Sequence, residues 1–329
     1  MVKKILIFGA GSIGNHMAYA SRRLNYQVSV TDVNKKALIR MKNKIYKTRY
    51  GRWDKKIQLI DYKDIFNQKK KYDLVIVGTP PQTHKELFKK ISREFLADKI
   101  LIEKPLCTYK QSFNSFVNKK NYVFCGYNHS ISPSFKFFLE KIKKNKRYIN
   151  FINVSWQEGF KGILNAHFWM KDEFDSYLGN LHKGGGALHE HSHGLHLSVI
   201  ILKCLDSFKN IKISSTNVFK TKNNLKYDKF SNTIFRSKRI ILNYTTDLLT
   251  EPANKSIILS GNNFFAKWVC GSKKGKDFVE IKTKDKLLTK FFNKSRSSEF
   301  ENELIHINNI NTKKIMKIHI YLLNILLML

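Results

Sequence analysis

The sequence predicts an α/β domain built on a doubly wound parallel sheet, followed by an α+β domain built on an open, mostly antiparallel sheet. Two observations support this prediction. Apolar strands alternate with amphipathic helices as far as about residue 125, which is the pattern of a parallel sheet flanked by helices. Short alternating strands then follow one another through turns such as Ser260-Gly261-Asn262-Asn263. We place the domains at residues 1–128 and 129–329.

The first predicted strand, residues 2–8, runs into the turn Gly9-Ala10-Gly11-Ser12-Ile13-Gly14 and then into an amphipathic helix. A G-x-G-x-x-G turn between a strand and a helix is typical of dinucleotide-binding Rossmann domains. The first glycine allows the tight turn, the second lets the backbone approach a pyrophosphate, and the third lets the helix pack on the strand. We therefore expect the cofactor to be bound by Gly9, Gly11, Ser12, Ile13 and Gly14.

The second predicted strand, residues 27–31, ends at Asp32. A carboxylate about 20 residues after the glycines accepts hydrogen bonds from the ribose hydroxyls of NAD and repels the 2′-phosphate of NADP. Lys35 and Lys36 follow closely and soften this preference. The sequence therefore predicts NAD, with NADP as the second choice.

Three further predicted strands, residues 73–77, 99–102 and 122–125, end at distinctive motifs. These are Gly78-Thr79-Pro80-Pro81-Gln82-Thr83-His84, Glu103-Lys104-Pro105 and Gly126-Tyr127-Asn128. Ligands of doubly wound sheets bind outside the carboxyl ends of the strands. We expect further cofactor contacts from Thr79, Pro80, His84, Glu103, Lys104 and Asn128.

The second predicted domain begins with a helix from Pro133 to about Lys144. Its strands are short and alternate apolar with polar residues, as in a sheet with one face covered. They are predicted at residues 149–156, 211–219, 230–235, 240–246, 257–260 and 264–269.

Three glycines, Gly184 to Gly186, precede a segment with four histidines between positions 189 and 196. His189-Glu190-x-x-His193 matches the H-E-x-x-H motif of zinc hydrolases. With its glycines, the same segment is a helix start that presents Glu190 and His193 for proton transfer beside a cofactor. We favour the second interpretation because the longer zinc motif does not continue, since position 196 is histidine and position 199 is valine. We expect no resident metal.

The charge and the cysteine content of the chain limit the classes of binding partner and the cellular compartment that we expect. The chain has 60 Lys and Arg against 25 Asp and Glu, a formal net charge of +35. The lysines are scattered through every predicted element and form no basic helix, so we expect no nucleic-acid partner. Four cysteines without a C-x-x-C pair indicate reduced thiols of a cytoplasmic protein. The apolar end at 318–329 is shorter than the ~20 residues that span a bilayer, so we expect no membrane association.

Together the motifs resemble the glucose–fructose oxidoreductase / inositol dehydrogenase family of NAD(P)-dependent sugar dehydrogenases. The resemblance rests on the glycine turn, the T-P-P-x-x-H turn, the E-K-P and G-Y-N motifs with Pro133, and the three glycines that lead to Glu190 and His193. It implies hydride transfer between a nicotinamide and a hydroxyl or ketone of a sugar or nucleotide sugar, on a route to a surface polysaccharide. It also implies a homo-oligomer formed through the outer face of the second sheet. A catalytically silent NAD-binding regulatory protein is the alternative, because a fold does not fix a function.

The resemblance implies roles for individual residues. Lys104 matches the lysine near the nicotinamide and substrate, and His193 matches the histidine that faces the reacting carbinol. Glu190 stands where the family usually has aspartate. We expect His193 to contact the hydroxyl, Lys104 to polarise its oxygen, and Glu190 to balance their charge. Aromatic and basic side chains of the second domain would suit sugar stacking and an anionic handle: Trp156, Phe160, His167, Trp169 and Lys171.

Overall fold

The computed structural model describes residues 3–67, 70–94, 96–108, 116, 121–208, 210–272 and 275–310. The apolar end at 318–329 lies outside these residues. The chain forms two compact units. Within the described part, the first contains residues 3–126 together with 296–310, and the second contains Tyr127–Ser295.

The first unit is built on a sheet of six parallel strands, which confirms the predicted doubly wound sheet. Its spatial order is β3-β2-β1-β4-β5-β6, so the order reverses between β1 and β4, where doubly wound folds bind ligands. The apolar runs of β1 and β4 are buried on both faces, which is why the sequence shows them as continuous rather than alternating. The strands are β1 (Lys4–Phe8), β2 (Gln27–Asp32), β3 (Ile57–Asp61), β4 (Tyr72–Val77), β5 (Ala97–Ile102) and β6 (Tyr122–Cys125).

Five helices of the first unit connect its strands or follow from them. They are α1 (Ser12–Arg23), α2 (Lys35–Arg40), α3 (Tyr46–Tyr50), α4 (Tyr62–Asn67) and α5 (Pro81–Arg93). A π-helical turn, Met41–Ile45, joins α2 to α3, so these two form one continuous helical segment.

A helix from the far end of the chain completes the core of the first unit. This helix, Arg296–Asn309, is called α10 below, and it packs against α1. Its side chains Phe300, Leu304 and Ile307 share the apolar core with Met17 and Ala18. The unit boundaries therefore differ from the predicted division at residue 128, which assigned this segment to the second domain. Sequence order alone does not show that a terminal helix returns to the first sheet.

The second unit is built on a sheet of eight strands, and only β7 and β10 pair in parallel, which confirms the predicted mostly antiparallel sheet. The strand order is β14-β13-β12-β11-β7-β10-β9-β8. The last hairpin was not predicted from the sequence, although its first strand, β13, buries Asp277, Val279 and Ile281 and leaves the residues between them half-buried. The strands are β7 (Ile149–Gln157), β8 (Lys212–Lys222), β9 (Leu225–Arg236), β10 (Ile241–Asp247), β11 (Asn254–Gly261), β12 (Phe264–Ser272), β13 (Lys276–Thr283) and β14 (Leu287–Asn293).

Four helices accompany this sheet: α6 (Pro133–Lys144), α7 (Phe160–Ala166), α8 (Ala187–Glu190) and α9 (Ser192–Cys204). Helix α9 packs on β7 and β10, which present Trp156 and Tyr244 to it. A Cβ at Gly194 of α9 would lie 2.6 Å from the Tyr244 ring, so this helix lies very close to the sheet. No helix in the described part of the chain is both long and apolar enough to cross a membrane.

Candidate active site

The glycine turn of the first unit leaves an open space at the start of α1. Gly11 is the N-cap of α1, and no side chain caps the helix there, so the first backbone N–H groups remain available for an anion. No atom lies within 4 Å of the position that a Cβ at Gly11 would take. By contrast, a Cβ at Gly14 would lie 1.9 Å from the carbonyl oxygen of Gly9. The geometry therefore fits the expected roles: Gly14 allows close packing, and Gly11 leaves room for a pyrophosphate.

Two backbone groups hold Asp32 at the carboxyl end of β2. The N–H of Ala10 donates to its Oδ2 and the N–H of Asn34 donates to its Oδ1, both at 2.8 Å. The ammonium of Lys35 is directed to Asp61, at 2.5 Å. Each Asp32 oxygen keeps a lone pair for a ribose hydroxyl. The side chain is thus positioned as the predicted preference for NAD requires.

His84 is fully buried and braces the turn that follows β4. Its Nε2 lies 2.7 Å from the carbonyl oxygen of Thr79, and its Nδ1 lies 3.0 Å from that of Leu106. Burial lowers the pKa of His84, and the backbone hydrogen bonds of its ring oppose this shift. His84 thereby connects the Thr79-Pro80 turn to the segment after the E-K-P motif, and its side chain is 0% exposed.

Glu103 of the E-K-P motif is also buried, 5% exposed, and its Oε2 accepts a long hydrogen bond of 3.3 Å from the backbone N–H of Lys104. Burial raises the pKa of Glu103 to about 7, despite the opposing charge of Lys104. A second buried carboxyl group, Glu303 of α10, interacts with Glu103, and its pKa lies well above the usual range because of burial and this like charge. Arg296 lowers both pKa values but does not outweigh burial. The two carboxyl groups therefore compete for protons near neutral pH.

This pair of carboxyl groups should make the stability of the protein depend on pH, and Glu303→Gln should weaken that dependence. Both carboxyl groups bind protons more tightly in the folded than in the unfolded chain, so the free energy of unfolding should fall as pH rises from about 4.5 to 7 and stay lower above that range. We expect the melting temperature of the Glu303→Gln variant to exceed that of the wild type by a few degrees at pH 8, and to match it near pH 4.5. Thermal unfolding followed by circular dichroism measures both. A difference in melting temperature between variant and wild type that is the same at every pH would contradict this prediction.

In the second unit, the segment predicted as one histidine-rich helix is broken in two. Helix α8 ends at Glu190, His191 lies at the break with φ −97° and ψ 19°, and α9 begins at Ser192. An H-E-x-x-H zinc site needs both histidines on one face of a continuous helix. The break between His189 and His193 removes that basis for the zinc interpretation. Among the described residues, no group of three His, Cys, Asp or Glu side chains is arranged to hold a metal ion.

The imidazole of His193 lies among aromatic rings. Its ring centroid is 4.6 Å from that of His129 and 5.6 Å from that of Tyr127, both edge to face. The centroid of Trp156 is 6.1 Å away. The neighbouring His196, 2% exposed, stacks on Tyr127 at 4.3 Å. His193 itself is only partly buried, so it can meet a ligand while these rings fix its orientation.

Three side chains of the sheet anchor the two helices around the break. Asp228 of β9 accepts a hydrogen bond of 2.8 Å from the backbone N–H of Leu188, in the first turn of α8. The hydroxyl of Tyr244 donates to the carbonyl oxygen of His191 at 2.8 Å, and that of Thr246 lies 3.4 Å from the carbonyl oxygen of Ala187. The sheet thereby sets the position of the segment that carries Glu190 and His193.

Gly186 is required by this arrangement. Its φ is +95°, and a Cβ there would lie 1.8 Å from Oδ1 of Asp228. The glycines were predicted from the sequence, whereas Asp228, which is 1% exposed, was not. A single acidic residue within a strand is a weak signal, because its partner in α8 lies 40 positions away in the sequence.

A family comparison bears on the first unit. An oxidoreductase family with an NAD-binding Rossmann fold, the GFO_IDH_MocA family, matches residues 3–122. The match confirms the predicted resemblance, and the chain is an NAD(P)-dependent oxidoreductase whose cofactor is NAD or NADP. No curated protein matches the sequence.

Solved structures of this oxidoreductase fold resemble the whole chain. An inositol dehydrogenase homolog from Azotobacter vinelandii, complexed with NAD+, has a TM-score of 0.72 and 12% identity over 99% of this chain and 94% of its own. The UDP-N-acetylglucosamine 3-dehydrogenase GnnA from Acidithiobacillus ferrooxidans has a TM-score of 0.70 and 11% identity over 100% and 96%. The WlbA dehydrogenase from Bordetella pertussis, in complex with NADH and UDP-GlcNAcA, has a TM-score of 0.67 and 13% identity over 99% and 95%. At such identities the likeness shows the fold.

The expected site residues of this oxidoreductase fall into three groups. The first lies at the carboxyl ends of strands in the first unit and keeps some exposure: Gly11, Ser12, Ile13, Asp32, Thr79, Pro80 and Lys104. The second is buried and shapes the backbone around the first: Gly9, Gly14, His84 and Glu103. The third lies in the second unit: Asn128, 6% exposed, with Glu190 and His193. Trp156, expected to stack on a sugar, is 2% exposed and belongs to the core.

Proposed function

We propose that this oxidoreductase transfers a hydride between NAD and a carbon that bears a hydroxyl or ketone in a sugar or nucleotide sugar. The observation that carries the proposal is the anchored helix break, which presents an imidazole and a carboxylate in a chain with an NAD-binding domain. The sugar class is supported by structural neighbours described as an inositol dehydrogenase homolog, a UDP-N-acetylglucosamine 3-dehydrogenase and a dehydrogenase in complex with UDP-GlcNAcA.

The cofactor would be held by the residues whose geometry fits it. The uncapped N-terminus of α1 and the open space at Gly11 suit a pyrophosphate, and Asp32 suits the ribose hydroxyls. The nicotinamide supplies the hydride acceptor, which no amino-acid side chain provides.

The protein must then move one proton, because an alcohol loses its hydroxyl proton as its carbon loses a hydride. We assign this proton to His193, since imidazole titrates near neutrality and the surrounding rings orient it. We assign to Lys104 the stabilisation of negative charge on the same oxygen. Glu190 balances the positive charge that His193 gains.

Exposed side chains after α7 are suited to substrate recognition. The rings of His167 and Phe168 each lie 5.2 Å from that of Trp169, and Phe168 is 47% exposed. Such rings can stack on a sugar, and the exposed Lys171 nearby can meet a phosphate or carboxylate. We propose that the substrate is anionic and that a nucleotide-sugar product serves as a donor for a surface polysaccharide.

We propose that copies of the chain associate through the outer face of the second sheet. Ile241 pairs with Phe151, and Phe278 pairs with Phe291, so the register places large apolar side chains on this face. Three of them are 43 to 57% exposed: Phe151, Ile241 and Phe291. An apolar face of this kind favours association of two copies.

Light scattering after gel filtration tests this association. The wild type should elute as an oligomer, and the Ile241→Glu variant should shift towards the monomer. Ile39→Glu is a matched control, because Ile39 is 59% exposed but lies in the first unit. A monomeric wild type would contradict the proposal.

Hydride transfer is tested by incubating the purified protein with NAD+ and a panel of sugars and nucleotide sugars. Formation of NADH is followed by absorbance, and the oxidised product is identified by mass spectrometry. We expect turnover with at least one nucleotide sugar and its loss in Lys104→Ala. NADH binding without turnover on any substrate would favour the catalytically silent alternative.

A further inference from the structure

Cys270 of β12 lies beside a lysine in the second unit. The Nζ atom of Lys294 is 2.8 Å from the Cys270 sulfur, and Nδ1 of His129 is 3.8 Å from the same sulfur. The thiol is 8% exposed, and the lysine side chain is 18% exposed. A cationic neighbour stabilises a thiolate, which is the form of cysteine that reacts with oxidants.

A buried carboxylate fixes this lysine. Asp277 lies 3.5 Å from Nζ of Lys294, and its side chain is 5% exposed. The oxygens of Asp277 also accept hydrogen bonds from Ser134 at 2.5 Å and from the backbone N–H of Gly271 at 2.9 Å. Because the carboxylate is held from two sides, the amine it pairs with stays close to the sulfur.

The other three cysteines have environments that favour the inert thiol. Burial raises the pKa of Cys107 to about 12, and burial raises the pKa of Cys125 and Cys204 as well. They serve as internal comparisons for any reaction at Cys270.

We propose that Cys270 and Lys294 form an oxidation-dependent covalent crosslink, a modification site independent of the proposed hydride transfer. In the first step the thiolate attacks hydrogen peroxide: an S–O bond forms, the O–O bond breaks, and the sulfur is oxidised to a sulfenic acid. The hydroxide that leaves takes a proton from the ammonium of Lys294 and becomes water, so Lys294 is left as a neutral amine. In the second step the neutral amine of Lys294 attacks the sulfur. An S–N bond forms, the S–O bond breaks, and the hydroxyl leaves as water with a proton of the amine.

The crosslink lies close to the candidate catalytic residue. His129, which faces the sulfur of Cys270, also packs edge to face against His193. An S–N bond would therefore alter the sulfur of Cys270 next to the ring of His129, and this ring helps to orient His193.

Mass spectrometry tests the proposal on the full-length protein treated with hydrogen peroxide. We expect an intact mass lower by about 2 Da, a joined peptide pair that contains Cys270 and Lys294, and reversal by a thiol reductant. The crosslink should be absent in Cys270→Ser and in Lys294→Arg, and it should persist in Cys204→Ser. Oxidation of Cys270 to sulfinic or sulfonic acid without a joined peptide, or no reaction at Cys270, would overturn the proposal. Because the readout is a mass, it stands apart from the outcome of the activity screen.

Discussion

Replacing His193 by alanine should lower kcat by roughly 10²–10⁴-fold, because it removes the group assigned to the hydroxyl proton. The dissociation constant for NADH should stay within about threefold of the wild-type value. The reason is that His193 belongs to the second unit, whereas the expected cofactor residues Gly11 and Asp32 belong to the first. Steady-state kinetics with the substrate found by screening, together with NADH fluorescence titration, separate the two quantities.

The matched comparison for this variant is His193→Gln. Glutamine retains a polar side chain among the rings of Tyr127, His129 and Trp156 but does not titrate near neutrality. If His193 acts by proton transfer, the glutamine variant should be as slow as the alanine variant. Recovery of most of the activity in His193→Gln would assign His193 a structural role instead.

Asp228→Ala should disturb the same site from a distance. The change removes the acceptor for the Leu188 N–H and leaves that donor buried and unpaired, which costs about 1–3 kcal/mol of stability. It also frees the start of α8, so Glu190 and His193 lose their fixed position. Misplacement of catalytic groups by about 1 Å can cost on the order of 100-fold in rate, so we expect kcat to fall by roughly 10- to 100-fold.

The Asp228→Asn variant shows whether Asp228 acts through its hydrogen bond to Leu188 or through its negative charge. Burial raises the pKa of Asp228 to about 7, so near neutrality the carboxyl group is already partly protonated. An amide has nearly the same shape and still offers one acceptor oxygen to Leu188. We expect the asparagine variant to keep kcat within about threefold of the wild type. An alanine variant that stays folded with unchanged kcat would contradict the positioning role.

Local patterns predicted most of the first unit. The strand, glycine turn and helix of residues 4–23 form one contiguous signal, and Asp32 follows at the spacing that the motif requires. The same holds for the motifs after β4 and β5, because in a parallel sheet the carboxyl ends of strands lie at one edge. Sequence position alone therefore predicted that the expected cofactor residues lie at this edge of the sheet.

Features that depend on contacts between distant segments were missed. Glu103, expected among the cofactor residues, is buried, and its carboxyl group interacts with that of Glu303, 200 positions away. Asp228 of β9 binds the backbone N–H of Leu188 in α8, which lies 40 positions earlier in the chain. The sequence also did not indicate the break at His191, because neither this residue nor its direct neighbours Glu190 and Ser192 are glycine or proline, which would signal a helix end.

The most direct test of the central claim is an equilibrium titration of the purified protein with NADH and NADPH, followed by nicotinamide fluorescence. We predict saturable NADH binding, weaker NADPH binding, and a loss of NADH affinity of roughly 100-fold in Gly11→Asp. That variant should fold normally, because no atom lies within 4 Å of a Cβ at Gly11. Absence of saturable binding by the wild type, or equal NADH binding by a folded Gly11→Asp variant, would contradict the account of this chain as an NAD-dependent oxidoreductase.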